Sequence, residues 1–270
     1  MPLEGNKNMV RMLIHEPENA VFLDAKSIGT TMPSQGDAQQ RVALQHLETE
    51  RLLGVDFIPV RPVAGAPPEA PETPEMASSC ALEDLKARVE SDFPFCSSLS
   101  GASRPVFGEG PRDARLVFVG EAPGAQEDET GRPFVGAAGQ KLDQIIEAMG
   151  LDRESVFITN ILKARPPENR TPTVDEIECC APYLREQLRI IRPEVIITLG
   201  GPATKFLLAT SEGITRLRGR WGAWEDDALR IPVMPTFHPA YLLRNYTNDT
   251  RKQMWSDVQK VVELLGLPKK

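Results

Sequence analysis

The sequence has no long hydrophobic run. No apolar stretch approaches the roughly 20 residues that a membrane-spanning helix needs, and the start of the chain lacks a charged region followed by a long apolar core. We therefore expect a cytoplasmic protein without a signal peptide and without a membrane partner. The sequence also shows no internal repeat.

Cysteine is scarce, with 4 in 270 residues, and no two cysteines form a CxxC pair. They are Cys80, Cys96, Cys179 and Cys180. Cytoplasmic proteins rarely use disulfides, and Cys179 and Cys180 lie next to each other in a predicted helix. The spacing alone therefore predicts buried or unreactive thiols.

A glycine-rich phosphate-binding motif is also missing, which argues against a nucleotide-binding α/β enzyme. Residues 1–100 hold 8 Lys+Arg against 15 Asp+Glu, whereas residues 101–270 hold 23 of each. All of the net charge of −7 therefore comes from the first part of the chain. A neutral domain binds nucleic acid when its basic residues cluster on one face. The candidates in predicted loops are Arg165, Arg170, Arg216, Arg218, Arg220 and Arg244.

The first part of the chain reads as an extension. Residues 39–53 show a weak amphipathic helical pattern among charged residues, and residues 61–78 are rich in Pro, Ala and Glu, as in an extended linker. We therefore predict an extension over residues 1–80, with an acidic helix and a linker, and a folded domain over residues 81–270.

After the linker, predicted strands alternate with predicted helices. The strands fall at 115–120, 156–159, 195–199 and 231–237, and the helices at 81–89, 140–149, 174–191, 203–209 and 252–265. This alternation predicts an α/β protein with three α/β/α layers around a central four-stranded, mainly parallel sheet. Two prolines in the fourth strand favour an edge or irregular position for it.

Candidate functional residues lie in the loops that follow these strands, because open α/β sheets bind ligands at their carboxyl edge. The first loop, GEAPGAQEDETGRPFVG at 120–136, carries acids that would repel a bare phosphate. A carboxylate beside a closely approaching backbone suits chemistry on a neutral ring or a sugar carbon. Asn160 and His238 end the second and fourth strands, and Phe134 lies in the first loop. A turn-forming Asn, a structural His and a core Phe are the alternatives.

Together these segments resemble the uracil-DNA glycosylase superfamily, most closely its family 4. The matching motifs are GEAPG at 120–124, GRPFVG at 131–136, TN before Lys163 with RPPENR at 165–170, and HPAYLLR at 238–244. The resemblance covers about residues 96–265 and leaves residues 1–80 outside it. It implies a base excision repair enzyme that flips uracil out of DNA and hydrolyses its N-glycosidic bond. We expect the enzyme to be monofunctional, because no Lys is an evident Schiff-base nucleophile. Other deaminated bases stay open as substrates, and we expect a monomer.

The resemblance also implies roles for individual residues in the pocket. Phe134 would stack on the uracil, Asn160 would read its polar edge, and His238 would donate to its O2. The backbone at Ala122 and Gly124 would line the base. These positions match a reaction in which the departing base gains negative charge.

Two carboxylates are candidates for the sugar side of the reaction. Glu121 would face the sugar, where a carboxylate stabilises the developing positive charge and orients or deprotonates the attacking water. Asp128 is the second candidate, with loop ordering as its alternative role. We therefore count Glu121, Asp128 and His238 as candidate catalytic residues.

The last group of residues would contact DNA. Leu242 and Leu243 suit an apolar wedge that fills the space of the flipped base, with core packing as the alternative for one of them. Arg244 would grip a phosphate or the minor groove, and Arg165 and Arg170 would contact the strand. Lys163 is the nearest candidate for a lyase nucleophile, but a phosphate contact is favoured for it.

Family 4 enzymes carry a four-iron, four-sulfur cluster on four cysteines. The resemblance places these ligands at positions 93, 96, 164 and 180, where this chain has Phe93, Cys96, Ala164 and Cys180. Because a cubane cluster normally needs four thiolates, we expect no cluster and no other metal. Apolar packing would fill the space, and Cys96 and Cys180 would be remnants of the ligand set. Cys80 is too far away in the sequence to be assigned to a ligand position, although a loop could bring it near.

A second hypothesis from a different class stays open at this point. The chain could be a non-catalytic module that keeps the fold and recognises abasic or otherwise damaged DNA. The presence of Glu121, Asn160 and His238 together favours the enzyme, because a module that only binds DNA does not need all three.

Overall fold

A computed structural model describes residues 74–226 and 229–268, with side chains from residue 81 onward. These residues belong to a compact unit that spans Glu69–Lys270. The predicted helix at 39–53 and most of the predicted linker lie outside the described residues. Among the helices that are described, none is long and apolar enough to cross a membrane.

The described chain alternates helices and strands, as the hydrophobic pattern predicts. In chain order the elements are α1 (Pro74–Asp92), β1 (Leu116–Gly120), α2 (Ala125–Thr130), α3 (Ala137–Ala148), β2 (Phe157–Asn160), α4 (Val174–Ile191), β3 (Val195–Leu199), α5 (Gly201–Leu207), α6 (Ile214–Leu217), β4 (Gly222–Asp226), β5 (Leu229–Thr236), α7 (Pro239–Arg244) and α8 (Asn248–Leu264). Helix α1 begins at Pro74, inside the segment predicted as a linker.

Within the described residues the sheet has five strands in the order β2-β1-β3-β5-β4, one more than the four that the sequence predicts. Strands β2, β1, β3 and β5 are mutually parallel, and β4 pairs antiparallel with β5. The missed strand β4 reads GAWED, a short polar segment in which only Trp224 is buried. Despite its prolines, β5 lies between β3 and β4 instead of at the edge.

Helices cover both faces of the sheet and give it two apolar cores. On one face, Leu142 and Ile146 of α3 pack with Val258 and Val261 of α8. The spacing of these residues places each pair on one helix face. On the other face, side chains from α1, α4 and α5 form the second core. The molecule therefore has the three layers that the sequence predicts.

The parallel strands place their carboxyl ends at one edge of the sheet. Gly120 at the end of β1 lies directly opposite Asn160 at the end of β2. Strand β3 leads into Gly200 and β5 leads into His238, and the Gly200 amide donates to the Thr236 carbonyl at 2.9 Å. This edge is where an open α/β sheet offers its ligand site.

Candidate active site

Gly120 is the point where two of the predicted pocket residues meet. A Cβ atom at this position would lie 2.3 Å from the Asn160 Oδ1 atom and 2.5 Å from the Phe134 ring. Both side chains therefore rest against bare backbone at the end of β1. Only glycine allows that approach, so the first residue of the GEAPG motif sets the shape of the pocket.

Asn160 is almost fully buried, and its Oδ1 is a buried side-chain atom without a hydrogen-bond partner among the described residues. Leaving a buried acceptor unpaired costs about 1–3 kcal/mol. A ligand that donates a hydrogen bond to this oxygen would remove that cost. Within the described chain, the Asn160 oxygen accepts no backbone hydrogen bond of the kind that a turn-forming Asn makes, and it remains a candidate for ligand recognition.

Phe134 is buried and has a left-handed backbone conformation with φ of 49°. Arg153 holds that backbone, because its guanidinium donates to the Pro133 carbonyl at 2.6 Å and to the Phe134 carbonyl at 3.2 Å. Gly139 permits the close approach of α3, since a Cβ there would lie 1.8 Å from the Phe134 oxygen. Sequence reasoning missed Arg153, which is distant in the chain and outside every motif.

His238 caps the amino end of α7 and lies beside Phe134. The two ring centres are 5.6 Å apart, and the rings are inclined by 33°. The Ala240 amide donates to His238 Nδ1 at 3.1 Å, which leaves the proton of a neutral ring on Nε2. Burial is the largest cause that lowers the pKa of His238, the Arg244 charge acts in the same direction, and Glu127 has a smaller opposing effect, so that the pKa is about 4.

Glu121 follows β1 directly and is half-buried. Burial raises the pKa of its carboxyl above the ordinary value of 4.5. The Leu162 amide donates to the Glu121 carbonyl at 3.1 Å, so the backbone of this residue is tied to the loop after β2. A carboxylate with a raised pKa is suited to take part in proton transfer.

Glu127 joins the two halves of the first loop. One carboxylate oxygen accepts from the Val135 and Gly136 amides, each at 2.9 Å, and the other accepts from the Gly124 amide at 3.1 Å. The predicted base-lining amide of Gly124 is therefore engaged within the loop. Sequence reasoning treated Glu127 only as an acid of the run, although a Glu three residues after a helix cap is a recognised capping signal.

Asp128 is buried and binds a different loop. Its Oδ1 accepts from the Ser103 amide at 2.8 Å, and its Oδ2 accepts from the Ser103 hydroxyl at 3.1 Å. The Arg165 guanidinium lies 3.9 Å from Oδ2. These contacts correspond to the loop-ordering role that was the alternative for Asp128.

The two other predicted DNA contacts on the loop after β2 have protein partners. Arg165 donates to the Asn169 side chain at 2.7 Å. Arg170 forms a two-pronged pair with the buried Glu176, at 2.8 and 2.7 Å. That pair lowers the pKa of Glu176 to about 2 and fixes the start of α4.

The two leucines of α7 have different environments. Leu242 is buried against Phe237 and Met254, whereas 45% of the Leu243 side chain is exposed. Only Leu243 is therefore placed to act as a wedge, and Leu242 takes the alternative role of core packing. Arg244 lies exposed in the same helix.

Lys163 is completely buried, which corrects the expected phosphate contact. Its amino group donates to the Thr159 hydroxyl at 2.7 Å, to the Asn160 carbonyl at 2.9 Å and to Gln187 Oε1 at 2.7 Å. Burial lowers its pKa to about 7. Lys163 therefore supports the end of β2 from inside the protein.

The predicted cluster positions are close together in one apolar region. Phe93, Cys96, Ala164 and Cys180 all belong to the core on the α1 and α4 face. Burial and a hydrogen bond with Cys96 raise the pKa of the Cys179 thiol, so these two sulfurs are neighbours. Cys80 lies in helix α1, and its side chain is outside the described residues.

Comparison with known proteins now defines the class. The family model of the uracil DNA glycosylase superfamily matches residues 107–259. This stretch contains the β1, β2, β3 and β5 loops described above, and the chain belongs to that superfamily.

Relatives within the superfamily are more specific. A type-4 uracil-DNA glycosylase of Sulfurisphaera tokodaii is 45% identical over 70% of this chain and 87% of its own length. A type-4 enzyme of Thermotoga maritima is 47% identical over 57% of this chain and 80% of its own length. A type-5 uracil-DNA glycosylase of Pyrobaculum aerophilum is 33% identical over 52% of this chain. The similarity is thus higher to these type-4 enzymes, as the motifs predicted.

These relatives overturn the expectation that the protein carries no cofactor. The chain is 45–47% identical to type-4 enzymes, the class for which the resemblance implies an iron–sulfur cluster. That similarity contradicts an expectation that rested only on the change of two ligand positions. The prediction was therefore wrong to infer absence from the cysteine count.

The thiols of the described chain do not by themselves fit a four-thiolate cluster. Its free cysteines are Cys96, Cys179 and Cys180, with Phe93 and Ala164 at the other implied positions. Over residues 81–226 and 229–268, no three His, Cys, Asp or Glu side chains are arranged to hold a metal.

Proposed function

We propose that this protein is a monofunctional uracil-DNA glycosylase that hydrolyses the N-glycosidic bond of a flipped uracil and leaves an abasic site. The observation that carries this proposal is the unpaired, buried Oδ1 of Asn160 beside the Phe134 ring. The Asn160 amide and the Phe134 ring both lie against Gly120. Together they would form a slot for a flat polar ring. The relatives named type-4 uracil-DNA glycosylase support uracil as that ring.

Asn160 would select the base. Its Oδ1 would accept from uracil N3–H, and its Nδ2 would donate to O4. Cytosine presents an acceptor at N3 and an amino group at position 4, so the same amide would meet two mismatched groups. The Phe134 ring would stack on the face of the base, with the backbone of Ala122 and Gly124 along its side.

His238 would stabilise the leaving group. Because its Nδ1 accepts from the Ala240 amide, a neutral His238 offers Nε2–H as a donor to uracil O2. As the N-glycosidic bond breaks, its electron pair moves onto the uracil ring, and negative charge develops at O2. A preorganised donor stabilises that charge in the transition state.

Glu121 would act on the sugar side. Its carboxylate would stabilise the positive charge that develops at C1′ and would take a proton from the attacking water. The water oxygen forms the new bond to C1′, and the uracil anion takes up a proton as it departs. Asp128 stays the second candidate, although Ser103 engages both of its oxygens.

A monofunctional reaction agrees with the position of Lys163. A lyase step needs an amine that attacks the sugar carbon. The Lys163 amine is buried among Thr159, Asn160 and Gln187 and donates to all three. It is therefore not placed to form a Schiff base with an abasic sugar.

Leu243 and Arg244 would contact the DNA. Leu243 would enter the stack where the uracil has left, and Arg244 would bind a neighbouring phosphate. Arg165 and Arg170 would also contact the DNA strand, through the donor groups that Asn169 and Glu176 do not engage. We also propose that the glycosylase domain spans residues 81–270, that residues 1–80 are an extension, and that the protein acts as a monomer.

Incubation with a uracil-containing oligonucleotide, followed by alkali, tests this function. We expect strand cleavage at the uracil position by the wild type, and at least a hundredfold slower cleavage by Glu121→Gln or Asn160→Ala. Glu129→Gln, at an exposed acid of the same loop, is the matched control and should keep full activity. Strand cleavage that is no faster for the wild type than for Glu121→Gln would contradict the proposal.

A further inference from the structure

A groove separate from the base pocket lies between helices α3, α7 and α8. It has a volume of about 580 Å³, and the apolar side chains of Ile145, Leu242 and Met254 are among those that line it. Its size is in the range of small-ligand sites, about 300–1,000 Å³. The pocket residues Phe134, Asn160 and His238 do not line it, so the groove is distinct from the base pocket.

The polar lining of the groove is positive. Lys141, Arg251 and Lys252 are part of it, and within the described chain no Asp or Glu side chain lines it. Such a surface attracts a polyanion, because each cation that neutralises a phosphate releases counterions from the nucleic acid.

Two of these cations lie over the exposed Tyr246 ring. The Lys141 ammonium is 5.1 Å from the ring centre, and the Arg251 guanidinium is 5.4 Å from it. The aromatic face stabilises both charges without neutralising them. The pair therefore forms a compact positive spot that matches one phosphate group.

Trp255 supplies an aromatic surface next to that spot. It lies four residues after Arg251 in α8, so the two side chains share a helix face. It is 36% exposed and also lines the groove. A flat base can stack on the indole while the preceding phosphate rests on Lys141 and Arg251.

Helix α7 connects the groove to the proposed DNA path. Leu242 forms part of the groove lining, and its neighbour Leu243 is the exposed wedge. A strand held at Leu243 can thus continue over α7 into the groove. A stacked duplex is too wide to enter a concavity of this size, whereas a single strand can turn one base into it.

From this geometry we infer that the groove binds a single-stranded segment of DNA next to the uracil, with a phosphate on Lys141 and Arg251 and a base on Trp255. This inference rests on the proposed glycosylase function and adds a preference for unpaired flanking DNA. The ligand class is a single-stranded polynucleotide, recognised without regard to sequence.

The first test measures binding without catalysis. The full chain is titrated into a labelled, uracil-free single strand of about 20 nucleotides, followed by fluorescence anisotropy. We expect Trp255→Ala and the pair Lys141→Gln with Arg251→Gln each to weaken binding about tenfold. The charge pair should also reduce the slope of log affinity against log salt by about one to two.

Matched controls lie elsewhere on the surface. Trp221→Ala removes an indole that is 45% exposed and does not line the groove. Lys86→Gln removes an exposed charge from α1, on the other face of the sheet. Both controls should bind the single strand as the wild type does, and equal thermal midpoints would show that every variant folds.

The second test measures uracil release from a long single strand and from an oligomer of about 4 nucleotides, which we expect to leave the groove empty. Trp255→Ala should raise KM about tenfold for the long strand only, with kcat unchanged. If Trp255→Ala matches Trp221→Ala on the long strand, the inference is overturned, and an acidic peptide would become the better occupant. A wild type that releases no uracil would overturn the proposed function, while the uracil-free binding test would still decide the groove.

Discussion

At the scale of single residues, the absence of a side chain at Gly120 defines the pocket. Its missing Cβ leaves the space in which the Asn160 amide and the Phe134 ring approach the end of β1. We predict that Gly120→Ala reduces kcat at least a hundredfold, because the new methyl group would displace one of these two groups from the base.

Gly101→Ala is the control for that substitution, since a Cβ at Gly101 would meet no atom within 4 Å. Uracil release by both variants would be measured together with thermal unfolding. Gly101→Ala should behave as the wild type. Wild-type kcat in Gly120→Ala would contradict the geometry described for the pocket.

The raised pKa of Glu121 predicts how activity depends on pH. Because the carboxylate is the active form, kcat/KM should be high at neutral pH and fall as the pH drops through a pKa above the ordinary 4.5. Rates measured from pH 4 to 8 should show this limb in the wild type and not in Glu121→Gln. An acidic limb that persists unchanged in Glu121→Gln would assign it to another group.

The His238 ring is predicted to stay neutral over the same range. Its pKa of about 4, lowered by burial and by Arg244, lies well below the ordinary value of about 6.5. Nitrogen NMR of labelled protein, assigned with His238→Asn, should show one ring with its proton on Nε2 from pH 5 to 8. A His238 ring that titrates near pH 6.5 would contradict the neutral donor role.

At the scale of secondary-structure elements, local sequence patterns predicted most of the helices and strands. Features that depend on long-range contacts were not predicted. Helix α4 and strand β3 occupy the predicted ranges 174–191 and 195–199, because their hydrophobic periodicity and the proline after α4 are local signals. Strand β4 was missed because its stability comes from pairing with β5, which no local pattern in GAWED reveals.

In the candidate site too, local patterns revealed some residues, whereas the roles that depend on long-range contacts were missed. Asn160 and His238 were found because each follows an apolar strand. The roles of Glu127 and Arg153 depend on backbone groups that folding brings to them. The unpaired state of the Asn160 oxygen and the burial of Lys163 likewise arise only from tertiary packing.

Arg153 links β2, α3 and the Phe134 loop, and this link can be tested. Its guanidinium also donates to Glu109 at 3.0 Å and to Asp143 at 2.6 Å. We predict that Arg153→Lys lowers the free energy of unfolding by about 1–3 kcal/mol and lowers kcat, because the Phe134 backbone loses its support.

Arg132→Lys is the control for Arg153→Lys, since Arg132 also pairs with Glu109 but is mostly exposed. Denaturant unfolding and kcat would be measured for both variants, together with affinity for an abasic-site oligonucleotide. We expect the affinity for the abasic-site oligonucleotide to stay unchanged. Phe134 would contact the flipped base, which this oligonucleotide lacks, and not the DNA backbone. Equal, small effects of the two substitutions would contradict a positioning role for Arg153.

At the scale of the whole molecule, we propose that the carboxyl edge of the sheet, helix α7 and the groove form a continuous path for DNA. The base pocket lies at the carboxyl ends of β1 and β2, α7 carries the wedge, and the groove lies beyond α7. Residues 101–270 carry equal numbers of acids and bases, so DNA affinity depends on where the cations lie. The proposed arrangement would account for nucleic-acid binding by a domain without net positive charge.

Mass spectrometry of a uracil-containing single strand after incubation with the protein tests the central claim most directly. The account predicts an unbroken strand that has lost one uracil and gained one water, together with free uracil. The Glu121→Gln variant should leave nearly all of the strand at its starting mass under the same conditions. A strand of unchanged mass with the wild-type protein, or a backbone cleaved without alkali, would contradict monofunctional hydrolysis in this pocket.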